Sequence, residues 1–388
     1  MPRNGTARSR AKAKGTGVGT GSSSAAGPDI SEPRARHRQS HGESASASAS
    51  ASASASASAS ASDEEDHADP PPNRDRRARR PSTTELLLHK AAELETTIAT
   101  ALTHLLHWDD LPAWRRDNPS ILSGYRPTSN SFRASLRSLL HVHNETVNIW
   151  THLLGCLAFF AVGARWLVSE VVAPRYATAT PGDAVAFACF FAGATACLGA
   201  SAAFHTLSNH SESVAKWGNK LDYSGIVFLI VGSYVAPLWY AFYCEAGLLT
   251  LYLGLIILLG LGCLVVSWFD HFRMPDWRPY RALMFVGLGA SGVIPILHSL
   301  TRSSFADLHQ RMGLGWVVLQ GILYIFGAFI YAVRFPERKW PGVFDIWGSS
   351  HQIFHVFVVA AAATHLYGMI AAFDHHHGIR LAQCDTLA

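Results

Sequence analysis

Charge is scarce in this chain. Asp, Glu, Lys and Arg make up 15% of its 388 residues, and most of them lie in the first third. From Trp150 onward the sequence is a series of long apolar runs. About 20 apolar residues in an α-helix match the hydrocarbon thickness of a bilayer. The composition therefore indicates an integral membrane protein rather than the two or three soluble domains that the length alone would suit.

Cysteine pairs and a folded basic surface are also missing. None of the six cysteines forms a CxxC pair, and four lie deep within apolar runs, where a thiol usually acts as a small apolar side chain. The sequence therefore predicts neither a disulfide framework nor a cysteine metal site. The net charge of +4 comes from Arg clusters near the N-terminus, so we expect no nucleic-acid partner. The cysteines are Cys156, Cys189, Cys197, Cys244, Cys263 and Cys384.

Residues 1–83 lack any hydrophobic period. They include a Ser-Ala alternation at 44–62, an acidic run and a basic run. Such a segment buries too little apolar surface to offset its ordering entropy, so it is predicted to be a disordered, low-complexity cytosolic tail. It has no apolar core typical of a secretory signal. A mitochondrial presequence fits its Arg and Ser content but not its lack of large apolar residues.

A helical segment is expected at 84–148, between the tail and the first span. Apolar residues recur with helical spacing from Thr84 to about His107. A second amphipathic piece, from Ser131 to about His143, places leucines on one face and arginines on another. Because it immediately precedes the first span, it is expected to lie in the membrane interface.

Seven apolar runs follow within a domain at 149–377. The predicted fold class is an all-α membrane protein, a seven-transmembrane helix bundle, with a short extracytosolic tail at 378–388. Pro237 and Pro295 lie inside the third and fifth spans, where proline usually marks a kink. The predicted spans are Trp150–Val171, Asp183–Phe204, Leu221–Tyr243, Leu248–Phe269, Ala282–Leu300, Leu314–Val333 and Gln352–Phe373.

The distribution of Lys and Arg between the loops predicts the orientation. The larger set lies on the side of the N-terminal flank, and basic loops stay in the cytosol. The N-terminus is therefore expected inside and the C-terminus outside. The larger set is Lys216, Lys220, Arg273, Arg278, Arg281, Arg334, Arg338 and Lys339, and the smaller is Arg175, Arg302, Arg311 and Arg380.

Four polar residues converge at one membrane boundary. His205 ends the second span, Asp222 opens the third, and His351 and His355 open the seventh. The His351–His355 spacing places both on one helix face and resembles half of a helical zinc site. With His205 they form a three-nitrogen set with an open position, which is typical of a catalytic zinc. Asp222 is then placed to act as a general base, and Ser201, one turn before His205, to hydrogen-bond its ring or the water.

The alternative is that these are ordinary polar core residues. A lone HxxxH pair is more often that, but three histidines and an aspartate at one depth favour a metal. The other histidines are assigned no role. His152 has no partner at ligand spacing, and the run of three at 375–377 is expected to be solvated.

Several longer motifs carry a resemblance to a known family. The sequence resembles the progestin and adipoQ receptor family, which includes the adiponectin receptors, the hemolysin III proteins and fungal relatives. The resemblance covers about Asp109 to His377 and is nearer the adiponectin-receptor branch. The motifs are Gly124–Pro127 (GYRP), Ser131–Ala134 (SFRA), His143–Gly155 (HNETVNIWTHLLG), Ser201–Thr206 (SAAFHT), Leu221–Ile226 (LDYSGI), Phe335–Arg338 (FPER) and Ser350–His355 (SHQIFH).

The resemblance implies a zinc site and a bundle with its N-terminus inside. It implies that His205, His351 and His355 bind Zn²⁺ directly and that Asp222 touches the metal through water, and Ser201 matches the family serine. Members are linked to ceramidase activity, to ligand-dependent signalling and, in fungi, to zinc, lipid and sterol homeostasis. A multi-pass location in the plasma membrane or an endomembrane is expected, with a sphingolipid or sterol-like substrate or ligand and a possible extracellular ligand. The Ser-Ala repeat matches no family motif.

Three functions remain open at this point. The first is a zinc-dependent lipid amide (ceramide-like) hydrolase, because zinc lowers the pKa of a bound water to about 7. The second is a signalling receptor whose zinc is structural and which hydrolyses nothing. The open ligand position favours the hydrolase, because structural sites are usually closed by four protein ligands. A pore or transporter is less supported, since the spans carry few charges and no inverted repeat.

Overall fold

The computed structural model describes residues 82–92, 105–172 and 174–378, without the side chains of residues 171, 172 and 273. Seven helices in it are long and apolar enough to cross a membrane, which confirms the seven-helix prediction for a multi-pass integral membrane protein. We number them α1 to α7 in chain order. They are α1 Thr146–Val172, α2 Pro181–Leu207, α3 Glu212–Ala241, α4 Ala246–Ser267, α5 in two parts (Arg278–Ala290 and Val293–Leu300), α6 Leu314–Val333 and α7 Ser350–Gly378.

Helices α2, α3 and α7 form the centre of the bundle, and few side chains of α4 and α6 are buried. Small residues let α2 and α3 approach closely, as is common between membrane helices. A Cβ at Gly225 would lie 2.7 Å from the Cα of Cys197, and one at Gly232 would meet the Cys189 carbonyl. This backbone contact fixes the position of α2, which carries His205, relative to α3, which carries Asp222.

Helix α5 is interrupted at Ser291 and Gly292, close to Pro295, where the sequence analysis expected a kink. Pro295 accounts for the break, because it has no N–H to donate to the carbonyl four residues earlier and its ring clashes there. Tyr234 of α3 fills part of the gap, since its hydroxyl donates to the Gly289 carbonyl at 2.6 Å. By contrast, α3 continues through Pro237 without a break.

We call the face where α1 begins and α2 ends the N-terminal side, and the opposite face the C-terminal side. Before the bundle, residues 83–92 are helical. The predicted end of that helix near His107 is wrong, because Leu106 pairs with Tyr125 in an isolated β-bridge. The second amphipathic piece is a helix at Phe132–Arg137 followed by a 3-10 turn. The tail at 1–83, except its last two residues, lies outside the described residues.

The C-terminal side corrects two expectations. His376 and His377 are buried rather than solvated, and His377 Nε2 lies 3.2 Å from the Asp183 carboxylate. Cys244 takes part in a disulfide, which the sequence analysis did not expect, whereas the other described cysteines are free. Disulfides persist in oxidising compartments, but the orientation of the chain in the membrane stays a prediction. Of the tail at 378–388, only its first residue is described.

Candidate metal centre

The structure brings the three predicted histidines together. The side chains of His205, His351 and His355 each offer a ligand nitrogen, and these nitrogens all lie within 4.8 Å of one another. The ring centroids are 4.8 to 5.0 Å apart. His205 comes from the last turn of α2, and the pair comes from the first turns of α7. Within the described residues this is the one group of three or more histidine, cysteine or carboxylate side chains with this spacing.

The hydrogen bonds made by Nδ1 indicate which ring nitrogens face the centre of the three-histidine group. His205 Nδ1 lies 2.7 Å from the Glu145 carboxylate, and His355 Nδ1 lies 3.1 Å from the Asn148 carbonyl. A carboxylate and a carbonyl only accept, so each ring must donate through Nδ1 and keep the lone pair on Nε2. His205 Nε2 is buried and has no partner among the described residues. This is the arrangement of a metal-binding histidine whose second nitrogen is fixed by an outer partner.

Both outer partners lie at the start of α1, Glu145 immediately before the helix and Asn148 in its first turn. Glu145 and Asn148 are also joined to each other, because the Asn148 amide donates to Glu145 Oε2 at 2.7 Å. The N-terminal end of α1 therefore orients one ligand on α2 and another on α7. The sequence analysis missed both residues. The one sequence feature that pointed to them is a carboxylate and an amide at the membrane boundary, inside the motif His143–Gly155. No spacing in the sequence links these two residues to the histidines.

The ends of the two ligand helices are held by separate contacts. Arg126 is buried and donates to the carbonyls of His205 and Thr206 at 2.6 and 2.9 Å, which caps the end of α2. Burial lowers the pKa of Arg126 to about 10 although Glu145 acts in the opposite sense, so the group is cationic at neutral pH. At the start of α7, Glu337 accepts the backbone N–H of Ser350 at 2.7 Å. A carboxylate is favourable at a helix N-terminus.

Asp222 and Ser201 lie beside the histidines. Both line the same cavity as His351 and His355. The sequence analysis offered the His205 ring as one partner for Ser201, but Nδ1 of that ring is hydrogen-bonded to Glu145 instead. Asp222 is outside the three-residue ligand group.

His152 of α1 also belongs to this cluster, although the sequence analysis gave it no role. Its ring stacks on His355 with centroids 3.6 Å apart and planes 9° from parallel. Both of its ring nitrogens are buried and without a hydrogen-bond partner in the described part of the chain. It lines the cavity next to the ligand group.

A cavity of about 460 Å³ extends from the histidines towards the C-terminal side. This volume is within the usual range for small-molecule sites. At one end it is lined by His351, His355 and Asp222, and at the other by Phe242 and Met312. Most of its wall is apolar and comes from α3, α5 and α6. It is therefore a long apolar pocket that ends at the cluster of imidazoles.

Comparisons with known proteins agree with this architecture. Residues 140–366 match the family described as Haemolysin-III related, which is more than half of the chain. The chain belongs to the haemolysin III and adiponectin-receptor family. It is 46% identical over 287 residues to the Drosophila melanogaster protein named "Adiponectin receptor protein", covering 73% of this chain and 64% of that protein.

Fungal relatives are similar over most of their length. The "ADIPOR-like receptor IZH2" of Saccharomyces cerevisiae is 44% identical over 276 residues, covering 71% of this chain and 86% of that protein. The "ADIPOR-like receptor IZH1" of Eremothecium gossypii is 35% identical over 272 residues, or 69% of this chain and 84% of that protein. Family membership establishes the kind of membrane protein, and the chemistry at the histidines is a separate question.

The residues present suit zinc. Three imidazoles are ligands that zinc accepts, and three protein ligands leave a position free for water or substrate. A buried Nε2 without a partner, as in His205, is costly unless something else satisfies it. A metal ion at the centre of the group would satisfy it.

Proposed function

We propose that this membrane protein is a zinc-dependent hydrolase of lipid amides of the ceramide type. The observation that carries the proposal is the junction of the three-histidine group with the end of a long apolar cavity. A structural metal alone needs no cavity, whereas a hydrolase of a lipid needs a place for the acyl chain beside the reacting carbonyl.

The cavity offers a route from the bilayer. Four of its lining side chains on α5 and α6 are 46 to 58% exposed. In this proposal a lipid enters laterally between these two helices without crossing water. The four residues are Val293, Val318, Ile322 and Ile325.

The metal and the polar residues around it have separate roles in this proposal. When bound, zinc polarises a carbonyl and acidifies water. Glu145 and Asn148 hold the ligand rings in place. Asp222 is the group that accepts a proton from the attacking water and passes it to the leaving amine, and Ser201, which lines the same cavity, orients its carboxylate in this proposal. The apolar wall excludes bulk water from this end of the pocket.

A receptor without hydrolysis is the second candidate. The relatives cited above carry the word receptor in their names, and the histidines join α2 to α7, as a structural metal would. In that case an extracellular or lipid ligand would act through the bundle. The two candidates are compatible, because a released lipid can itself be the signal.

Hydrolysis of a ceramide by purified protein tests the proposal. Activity should fall on removal of zinc by a chelator and return when zinc is added. His351→Ala should abolish both zinc content and activity. His365→Ala is the matched control, since His365 is a buried histidine of the same helix outside the ligand group. Full hydrolysis by the zinc-free protein would refute the proposal. No hydrolysis with zinc bound and ligand responses intact would favour the receptor.

A further inference from the structure

The apolar wall of the cavity is interrupted by a polar pair on α6. Gln320 and Tyr324 both line the cavity. Gln320 Oε1 and the Tyr324 hydroxyl are buried, and neither has a hydrogen-bond partner within the described residues. Residues four apart lie on the same helix face, so the two side chains present one polar patch, which we call the α6 pair.

Other polar groups along this stretch are already satisfied. The Tyr234 hydroxyl donates to Gly289 at 2.6 Å, and the Ser233 hydroxyl donates to Leu229 at 2.7 Å. Ser299 also lacks a partner among the described residues, but it lies at the last turn of α5, at the C-terminal-side end of the cavity. The α6 pair is therefore distinctive in its depth and in its lack of partners within the described part of the chain.

The depth of the pair relative to the metal centre follows from helix geometry. Tyr331 of α6 packs on the ligand His351 with ring centroids 5.1 Å apart, so it marks the level of the metal centre. At 1.5 Å rise per residue, Tyr324 lies roughly 10 Å and Gln320 roughly 16 Å further along α6 from that level. An acyl chain whose carbonyl sits at the histidines would pass the pair with its middle carbons.

Unpaired polar groups at this depth need a partner. The hydrocarbon core supplies no water to satisfy them, and a buried polar group without a bond is costly. An amide oxygen accepts, amide N–H groups donate, and a phenol does both. A hydroxyl group, which donates one hydrogen bond and accepts two, satisfies both members of the pair. A plain hydrocarbon chain satisfies neither.

We propose that the α6 pair is a recognition site for a hydroxyl group near the middle of a bound lipid chain. The cavity thus selects lipids whose acyl chain is hydroxylated at mid-chain over those that carry the hydroxyl beside the carbonyl. This inference deepens the proposed hydrolase function by naming a substrate class. It rests on that function only for the position of the lipid carbonyl at the histidines. Its test uses binding, so it does not depend on hydrolysis.

The experiment is displacement of a fluorescent fatty acid from purified, full-length, zinc-loaded protein. The competitors are octadecanoic acid, its isomer with a hydroxyl on the twelfth carbon, and its isomer with a hydroxyl beside the carboxyl. We expect the mid-chain isomer to bind roughly two- to tenfold more tightly than the carboxyl-adjacent isomer, as one net hydrogen bond provides. A Gln320→Leu/Tyr324→Phe variant should lose this preference and keep its affinity for octadecanoic acid.

Tyr234→Phe is the matched control. It removes the hydroxyl of another cavity tyrosine that is already bonded within the protein, so the preference should remain. Tyr324→Phe alone should reduce the preference and provides a milder variant, since replacing an unsatisfied group by an apolar one of similar shape is nearly neutral for folding. Equal affinity of wild type for the two hydroxy isomers would overturn the proposal. So would a preference that survives in the double variant, or failure of all three acids to displace the probe.

Discussion

Glu145 provides the most informative perturbation of the metal centre, because it touches a ligand and not the metal. Its Oε2 atom accepts both from His205 Nδ1 and from the Asn148 amide, each at 2.7 Å. Glu145→Gln can keep an oxygen at this position and retain both hydrogen bonds while losing the negative charge. Glu145→Ala loses the charge and both bonds. The two substitutions therefore separate the electrostatic contribution from the orienting one.

Outer partners of metal-binding histidines typically contribute about 10- to 100-fold in metal affinity. We expect Glu145→Gln to weaken zinc binding by about tenfold, because only the basicity of His205 changes. We expect Glu145→Ala to weaken it by about 100-fold, because His205 also loses its fixed orientation. In free energy these losses are roughly 1.4 and 2.7 kcal/mol.

Competition with a zinc-specific fluorescent chelator measures these affinities on purified protein. Glu170→Gln is the control, since Glu170 is a buried carboxylate near the other end of α1 that pairs with Arg175 on the C-terminal side. Its zinc affinity should equal that of wild type. Wild-type affinity in Glu145→Ala would refute the reasoning, because it would mean that the contact with His205 does not position a ligand. Equal losses in the Gln and Ala variants would mean that charge alone matters.

Three further predictions concern the rest of the chain. The double variant His351→Ala/His355→Ala should lose about one zinc per chain in elemental analysis, the capacity of a single three-histidine site, and full occupancy would contradict the ligand assignment. A tag at the N-terminus should be digested by protease added to sealed, cytosol-facing vesicles, whereas protection would reverse the predicted orientation. Deletion of residues 1–83 should leave zinc content and detergent behaviour unchanged, and loss of zinc or aggregation in the truncated protein would show that the tail is structural.

Hydropathy was sufficient to predict the spans. The predicted sixth span, Leu314–Val333, has the bounds of α6, and the others differ mainly at their ends. The largest difference is in α3, which begins at Glu212 and not near Leu221. Its first residues are polar, so the helix starts about two turns before the apolar run. Glu212 and Lys216 form an ion pair one turn apart in that part, which supports the helix. A search for apolar runs cannot detect polar helical residues that precede the membrane-spanning part.

The ligand group was predictable because topology brings distant residues to one depth. The HxxxH pair begins one span and the other histidine ends another. Counting the spans between them places all three histidines at the same membrane boundary. The break in α5 was only half predicted. Pro295 signalled a kink, but the position of the break depends on Tyr234 of another helix, whose hydroxyl satisfies a carbonyl there.

The residues around the ligands were not predictable from one sequence. Glu145 and His205 are separated by 60 positions, and no periodicity relates them. His152 looked like an isolated polar residue until its stacking on His355 was seen. The cavity is likewise a property of packing, because its lining comes from helices that are distant in the chain. Sequence patterns predicted which residues could hold a metal, and the fold added what orients them.

The most direct test of the central claim is a ceramide hydrolysis assay on Asp222→Asn with zinc measured in the same sample. Asp222 borders the ligand group without belonging to it, and the amide is nearly isosteric with the carboxylate. We predict that zinc remains bound while the hydrolysis rate falls by about 100- to 10,000-fold, the usual contribution of a positioned acid–base group. Hydrolysis at the wild-type rate with zinc bound would contradict the account.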